Sequence, residues 1–312
     1  MNPQCLCTAR ATTFTALALC AVFLPGHVGA QGRATQPASD WTAVDQALGR
    51  PGALQPGEVM KYSFPRSDLQ VTVAGVTLKP ALALGSWVAF KRVAGGHTMV
   101  MGDLVLGEDE VDAVMRALQR GGVEQTALHN HVLHESPRVM YMHIAGHGDA
   151  VKIAQTIRAA LGESHTPLTA PGAPAAPAPA AAIALDTTAV ALALGVTGKV
   201  NGGVYQVTVP RREIIREGQD EVPPAMGVAT AINFQPTGGG KAAVTGDFVM
   251  IASEVNDVIR ALQQNGIQVA ALHSHMLGES PRLYFMHFWA NADAVALARG
   301  LRQALHQTNV RS

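Results

Sequence analysis

The chain has three cysteines, Cys5, Cys7 and Cys20, all within its first twenty residues. Beyond Cys20 there is no thiol to form a disulfide, bind a soft metal or act as a nucleophile. Stability must come from packing, and any metal site must be built from nitrogen and oxygen donors. Charge of one sign is also lacking: 23 basic and 23 acidic residues cancel, and charged residues make up 15% of the chain. No Lys/Arg cluster with interleaved aromatics is present, so no nucleic-acid partner is expected. No basic amphipathic helix points to a membrane surface. Long apolar runs are missing too. The most apolar stretch, Phe14 to Leu24, is short of the roughly 20 residues a transmembrane helix needs.

That stretch has another reading. Arg10 supplies a positive n-region, Phe14 to Leu24 an apolar h-region, and Val28-Gly29-Ala30 a small-residue cleavage site. Residues 1–30 therefore read as a secretory signal peptide, with export to the periplasm or outside the cell. Leu19 precedes Cys20 where a lipid-attachment site needs a small residue, so lipid anchoring is not expected.

What is abundant is repetition. ALHNHVLHESPRVMYMHIAGHGDA, from Ala127 to Ala150, returns as ALHSHMLGESPRLYFMHFWANADA, from Ala271 to Ala294. Both copies keep His-x-His, Glu-Ser-Pro-Arg, Met-His and Asp-Ala at a constant displacement. A Pro/Ala-rich linker, 162–182, favours extended conformations and separates two units, 40–161 and 183–306. Each unit reads as a short helix, four strand-like runs, an amphipathic helix, the motif hairpin and a last helix. The first helix spans Trp41 to Leu48, matched by Thr187 to Leu194. The strand runs are Val59 to Phe64, Leu69 to Leu78, Trp87 to Val93 and Thr98 to Leu106. Their matches are Val204 to Val209, Glu213 to Val222, Val228 to Phe234 and Ala242 to Ile251. Val111, Val114, Met115 and Leu118 follow helical spacing, as do Val255, Val258, Ile259 and Leu262. Ser253 is placed to cap the second of these helices, and Asp149 and Asp293 to cap the last helix of each unit. The fold class is α+β: two homologous tandem domains, each a mainly antiparallel sheet with helices packed on one face.

The motif carries the candidate chemistry. Alternation puts His129 and His131 on one strand face, and an antiparallel return can bring His143 to the same face. An even shift of register keeps the three together; an odd shift separates them. Glu135 lies in or beside the turn. His273, His275, Glu279 and His287 repeat the arrangement. Three neutral imidazoles and a carboxylate suit a divalent ion: Zn, Mn, Fe, Ni or Cu. Arg138 and Arg282 read first as ion-pair partners of Glu135 and Glu279, and otherwise as an anion clamp or outer partners of the carboxylates. Asp103 and Asp247, in matched strands where Asp is disfavoured, are candidates for orienting an imidazole; a solvent-facing position is the alternative. Met142 and Met286 read as core.

The ALHxHxLxESPR strings resemble the LppY/LpqO family of exported bacterial proteins, over nearly the whole mature chain. The resemblance implies export and the duplicated unit; it carries no reaction, substrate or cofactor. The leading functional reading is divalent-metal binding by a His3Glu cluster in each repeat. A metal-dependent enzyme and a metal-free binding or scaffolding module of the cell envelope remain open beside it, because nothing identifies a base, a nucleophile or a substrate pocket. Two separate clusters predict two equivalent ions per chain, whereas one site shared between the repeats predicts one; metal titration with elemental analysis separates these. Because imidazole ligates only when neutral, metal affinity should fall below about pH 6, and the metal-free chain should respond less to pH.

Overall fold

The computed structural model describes residues 40–169 and 183–311; the signal-peptide segment and most of the Pro/Ala linker lie outside them. The first repeat runs α1 (Thr42–Leu48), β1 (Ala53–Gln55), β2 (Val59–Pro65), β3 (Thr72–Val73), β4 (Val76–Thr77), α2 (Pro80–Ala83), β5 (Gly85–Arg92), β6 (Thr98–Gly107), α3 (Val111–Arg120), β7 (Glu124–His129), β8 (Val139–Gly148) and α4 (Ala150–Leu161). The second runs α5 (Thr187–Leu194), β9 (Lys199–Asn201), β10 (Val204–Pro210), β11 (Arg216–Glu217), β12 (Asp220–Glu221), β13 (Ala229–Gly238), β14 (Lys241–Met250), α6 (Val255–Gln264), β15 (Gln268–His273), β16 (Glu279–Ser280), β17 (Tyr284–Asp293) and α7 (Ala294–Leu305).

Each repeat builds an antiparallel six-stranded sheet, ordered β1-β2-β5-β6-β8-β7 in the first and β9-β10-β13-β14-β17-β15 in the second. Alternation assigns the two faces. In β6, Val100, Leu104 and Leu106 pack under α1, α3 and α4. In β14, Val244, Phe248 and Met250 do the same under α5, α6 and α7. The residues between them point the other way, into two further cores that both repeats line. Val59, Ala89, Met99 and Met101 meet Ile215, Val222, Met226 and Val228. Val71, Val73, Leu78 and Leu82 meet Val204, Ala243 and Trp289. The segment before β5 thus lies on the second repeat, and the segment before β13 lies on the first. Gln235 fastens one crossing: it accepts from Lys79 N at 2.8 Å and donates to Thr77 O at 2.8 Å. The two repeats form one compact unit, layered helix, sheet, sheet, helix.

Several local expectations are met and others corrected. Asp149 and Asp293 cap α4 and α7, accepting from Lys152 N and Ala296 N. Ser253 does not cap α6; the residue in that position is Glu254. The run Leu69 to Leu78 is not one strand but a small hairpin, turning at Ala74 and Gly75, both at positive φ. Glu213 to Val222 likewise breaks at Gly218.

Buried ion pairs hold the start of α3 and α6. Arg66 is 1% exposed; its guanidinium donates to Glu110 at 2.7 Å and 3.1 Å, to Val105 O and to Asp68. Arg211 repeats this with Glu254, Val249 O and Glu213. Each Glu also accepts a backbone N–H three residues earlier, from Gly107 or Ile251, and one from the chain beyond the last helix, at His165 or Asn309. Burial alone would raise the Glu110 pKa, but the Arg66 and backbone donors outweigh it and hold it at about 2.

Because that value lies below the unfolded one of about 4.3, Glu110 contributes stability above about pH 4.3 and loses it as pH falls toward 2. Glu110→Gln should cost about 3–5 kcal/mol at pH 7, the usual result of breaking a buried pair. The gap between wild type and variant in denaturant unfolding should close between about pH 4.5 and 2. A gap that does not change with pH would contradict this account.

Candidate metal centre

Between the two sheets lies a stack of imidazoles. In the first hairpin Ala127 pairs with His143 and His129 with Tyr141; in the second Ala271 pairs with His287 and His273 with Phe285. The register is shifted by two residues from a direct His–His pairing, an even shift, so the histidines share the inner face. The strands end at His129 and His273. His131 and His275 sit in the following loops, which Val132 and Met276 anchor as fully buried residues. On the far side of His143 and His287 stand Asp103 and Asp247, their direct cross-strand partners in β6 and β14. Gly246, just before Asp247, has no room for a Cβ, which would lie 1.9 Å from Ala231 O. Its own carbonyl accepts from His287 Nδ1 at 2.8 Å.

Sheet packing merges the two sets. His129 and His273 stack on each other with centroids 3.7 Å apart. His131 lies 3.8 Å from His287, and His275 lies 3.7 Å from His143. The near-equality of the last two distances marks a local twofold relation through the His129–His273 pair. Donor atoms of His129, His273, His275 and His287 all fall within 4.8 Å of one another. His273 Nε2 and His275 Nε2 are 3.0 Å apart, close to the separation of about 3.0–3.4 Å for two nitrogens on one ion with bonds of about 2.0–2.1 Å. Two further side-chain hydrogen bonds tie the hairpins across the repeats: Thr126 Oγ1 donates to His275 O at 2.6 Å, and Asn130 Nδ2 donates to Ala270 O at 3.3 Å.

The cluster is poor in internal partners. His129 Nε2, His131 Nε2, His143 Nε2, His273 Nδ1, His287 Nε2, Asp103 Oδ1 and Asp247 Oδ1 are buried with no hydrogen-bond partner among the described residues. An unpaired buried polar atom ordinarily costs about 1–3 kcal/mol. Burial is the largest influence on every imidazole here and favours the neutral form. It holds His129 and His287 at about 4 and His275 at about 3, with His131, His143 and His273 also lowered. The neighbouring imidazoles reinforce the effect on all but His275. Asp103 lies 3.6 Å from His131 Nε2, and Asp247 3.2 Å from His275 Nε2. Since the rings are neutral, these are polar contacts rather than charge pairs. Burial raises Asp103 to about 7, helped by the charge of Asp247 and opposed by Lys61; Asp247 is raised to about 6, opposed by His287.

The carboxylates of the motif behave differently from the histidines. Glu279 is buried, accepts Leu283 N at 2.9 Å and pairs with Arg282 at 3.2 Å, while Arg282 also donates to Met276 O. It is thereby committed to holding its own loop, as the ion-pair reading of Arg282 expects. Glu135 is half-buried and Arg138 exposed, and among the described residues no ion pair joins them. Asp103 is buried and Asp247 mostly so, both against imidazoles rather than facing solvent. Tyr141 was not singled out in the sequence. Its ring stacks on His131 with centroids 3.3 Å apart, and its hydroxyl is buried without a partner. The one signal was its replacement by Phe285 in the other copy. A cleft of about 700 Å3 lined by Arg66, Asp68, Glu110, Arg138 and His165 contains none of the six histidines, and its innermost charges already satisfy one another.

The chain matches the family described as Domain of Unknown Function (DUF1259) twice, over residues 42–163 and 188–307, and belongs to it. No curated protein matches the chain. The crystal structure of a trimeric bacterial microcompartment shell protein, PduB, aligns with 82% of this chain and 89% of its own, at 13% identity and a TM-score of 0.22. A score that low carries no argument. Among the described residues no helix is long and apolar enough to cross a membrane.

The lowered imidazole pKa values have a direct consequence for the metal-free chain. Folded values near 4 lie below the unfolded one of about 6.5, so protons bind the unfolded chain preferentially between the two. The imidazole contribution is full above about pH 6.5 and is lost as pH falls toward about 4; the raised Asp103 and Asp247 act in the opposite sense, and six rings outweigh two carboxyls. The metal-free protein should therefore lose thermal stability over that window, where the sequence alone predicts a smaller response than that of the metal-loaded protein. A melting temperature flat from about pH 7 to 5 would show that the rings are not buried neutral.

Proposed function

We propose that this protein binds a divalent metal ion at a single centre shared by both repeats, and that it does so as an exported protein of the LppY/LpqO type. The observation that carries the reading is the convergence of neutral imidazoles from both hairpins: His129, His273, His275 and His287 offer donors within 4.8 Å of one another, and all but His275 carry a buried nitrogen with no hydrogen-bond partner. Neutral imidazole is the ligating form, and burial supplies it without any cost of deprotonation at pH 7. The outer partners fit as well. Gly246 O accepts from His287 Nδ1 and Asn130 O lies 3.1 Å from His129 Nδ1, so in both rings Nε2 is left to face the ion. Two buried carboxyls, Asp103 and Asp247, can balance the charge of one divalent ion. An all-nitrogen inner set suits Zn, Cu, Ni or Fe, and Mn less well. Glu135 and Glu279 are not needed as ligands in this reading.

The test uses the intact chain, because the repeats share two of its cores. Elemental analysis and titration of untagged protein should give one ion per chain. His129→Ala in the first repeat and His287→Ala in the second should each abolish that same ion, lowering affinity by about 100-fold or more. Two independent sites would instead leave one ion bound in either variant. Failure to bind Zn, Ni, Co or Cu better than micromolar would overturn the proposal.

A further inference from the structure

The local twofold relation is broken at one side chain in contact with the cluster. Tyr141 and Phe285 occupy equivalent positions in β8 and β17. Their rings do the same work: Tyr141 stacks on His131 at 3.3 Å and 9°, and Phe285 stacks on His275 at 3.4 Å and 14°. The second repeat therefore shows that the stack needs no hydroxyl. The first repeat has one nevertheless, fully buried and unpartnered. A phenol in such a place ordinarily finds an acceptor.

Its surroundings say what kind. The charged groups that act on the phenol are Asp103 and Glu135. Asp103 Oδ1 is itself buried without a partner, and its other oxygen lies 3.6 Å from His131 Nε2. The phenol, whose ring lies on His131, and the carboxylate, 3.6 Å from that ring's Nε2, thus both adjoin the same imidazole beside the ion-binding cluster. One small group that can both accept and donate would satisfy the phenol and the carboxylate at once. The tight four-nitrogen set leaves His131 outside it, drawing three of its members from the second repeat and His129 alone from the first. Access differs in the same sense. On the second-repeat side Glu279 is buried and tied to Arg282 and Leu283 N. On the first-repeat side Glu135 is half-buried and makes no ion pair with Arg138 among the described residues.

We infer that the first-repeat side of the centre is a ligand pocket, in which the Tyr141 hydroxyl and Asp103 hold a small exogenous ligand of the metal: a water or hydroxide, or a small anion that replaces it. The inference rests on the metal reading and deepens it. Tyr141 donates its O–H to the ligand, Asp103 accepts the ligand's proton when it has one, and Tyr141 is not needed to hold the ion. The second repeat, with Phe285, supplies a closed wall.

The experiment compares wild type, Tyr141→Phe and the mirror variant Phe285→Tyr, each loaded with Co2+, with azide as the probe. Metal content is read by elemental analysis and azide binding by the visible spectrum of the cobalt. Tyr141→Phe recreates the arrangement already present in the other repeat, so it should fold and should bind Co2+ with unchanged stoichiometry and affinity. Azide should perturb the wild-type spectrum and should bind the variant roughly 10- to 100-fold more weakly, the loss expected for a hydrogen bond to a charged group. Phe285→Tyr should leave azide affinity within about two-fold of wild type. Equal azide affinity in wild type and Tyr141→Phe would overturn the pocket while leaving the metal centre standing. A wild-type cobalt spectrum that azide does not change would do the same. Wild type that takes up no Co2+ would overturn the metal reading and this inference with it.

Discussion

Six imidazoles can be packed together in a protein interior only if almost none of them is charged. That requirement governs the arrangement of the whole chain. Each repeat covers one face of its sheet with its own helices and turns the other face, with its strip of His and Asp, toward its partner repeat. Closing the two sheets against each other removes both strips from water together. The cost of burying so many polar atoms is offset by the two shared apolar cores on either side of the strip. The arms that cross between repeats then serve as walls: without the segments 69–84 and 213–228 the inner faces would be open at their margins, and the imidazoles would protonate as ordinary histidines do.

The buried Arg–Glu pairs do a separate job. Arg66 and Arg211 sit at the ends of β2 and β10 and grip the residues that open α3 and α6. Each pair also takes a backbone N–H from the chain beyond the last helix, so strand end, helix start and chain exit meet at one carboxylate. Such pairs add little net stability over an apolar replacement, but they admit only one geometry. That places α3 and α6, and hence the strands β7 and β15 that follow them directly, in fixed register against the sheet. The histidines at the ends of those strands inherit their positions from this anchoring.

Much of this could be read from the residues. Period-two alternation put His129 and His143 on one face, and an even register slip preserved that result, while His131 reaches the cluster from the loop after the strand. Helical spacing placed Val114 and Leu118, and Val258 and Leu262, at the buried face. Asp103 and Asp247 stood out because a strand interior rarely holds an Asp. What a single pattern of alternation does not say is what covers the second apolar face. The cover could have been helices, solvent-shielding loops or, as here, the other repeat, and the difference between two His clusters and one follows from that alone. The Glu of the motif was assigned as a ligand on spacing, but at Glu279 a nearby Arg and a backbone N–H take up the carboxylate first. The broken strands at Ala74-Gly75 and Gly218 are signalled by their glycines, which end a strand even where the residues around them are apolar. Tyr141 carries no mark in the sequence beyond its replacement by Phe285, because stacking and hydroxyl chemistry cannot be told apart until the partner ring is seen.

The two hairpins occupy the positions that two identical subunits would take about a symmetry axis. Joined in one chain, they differ from such a dimer in two respects. The cluster assembles at any dilution, because the tether fixes the local concentration of one half around the other. A symmetric dimer must also carry every substitution twice, once on each side of its axis. A tandem chain is free of that obligation. It can keep one flank of the centre as a wall and alter the other by a single oxygen atom, and the difference between Phe285 and Tyr141 is available only to a protein that has given up its symmetry.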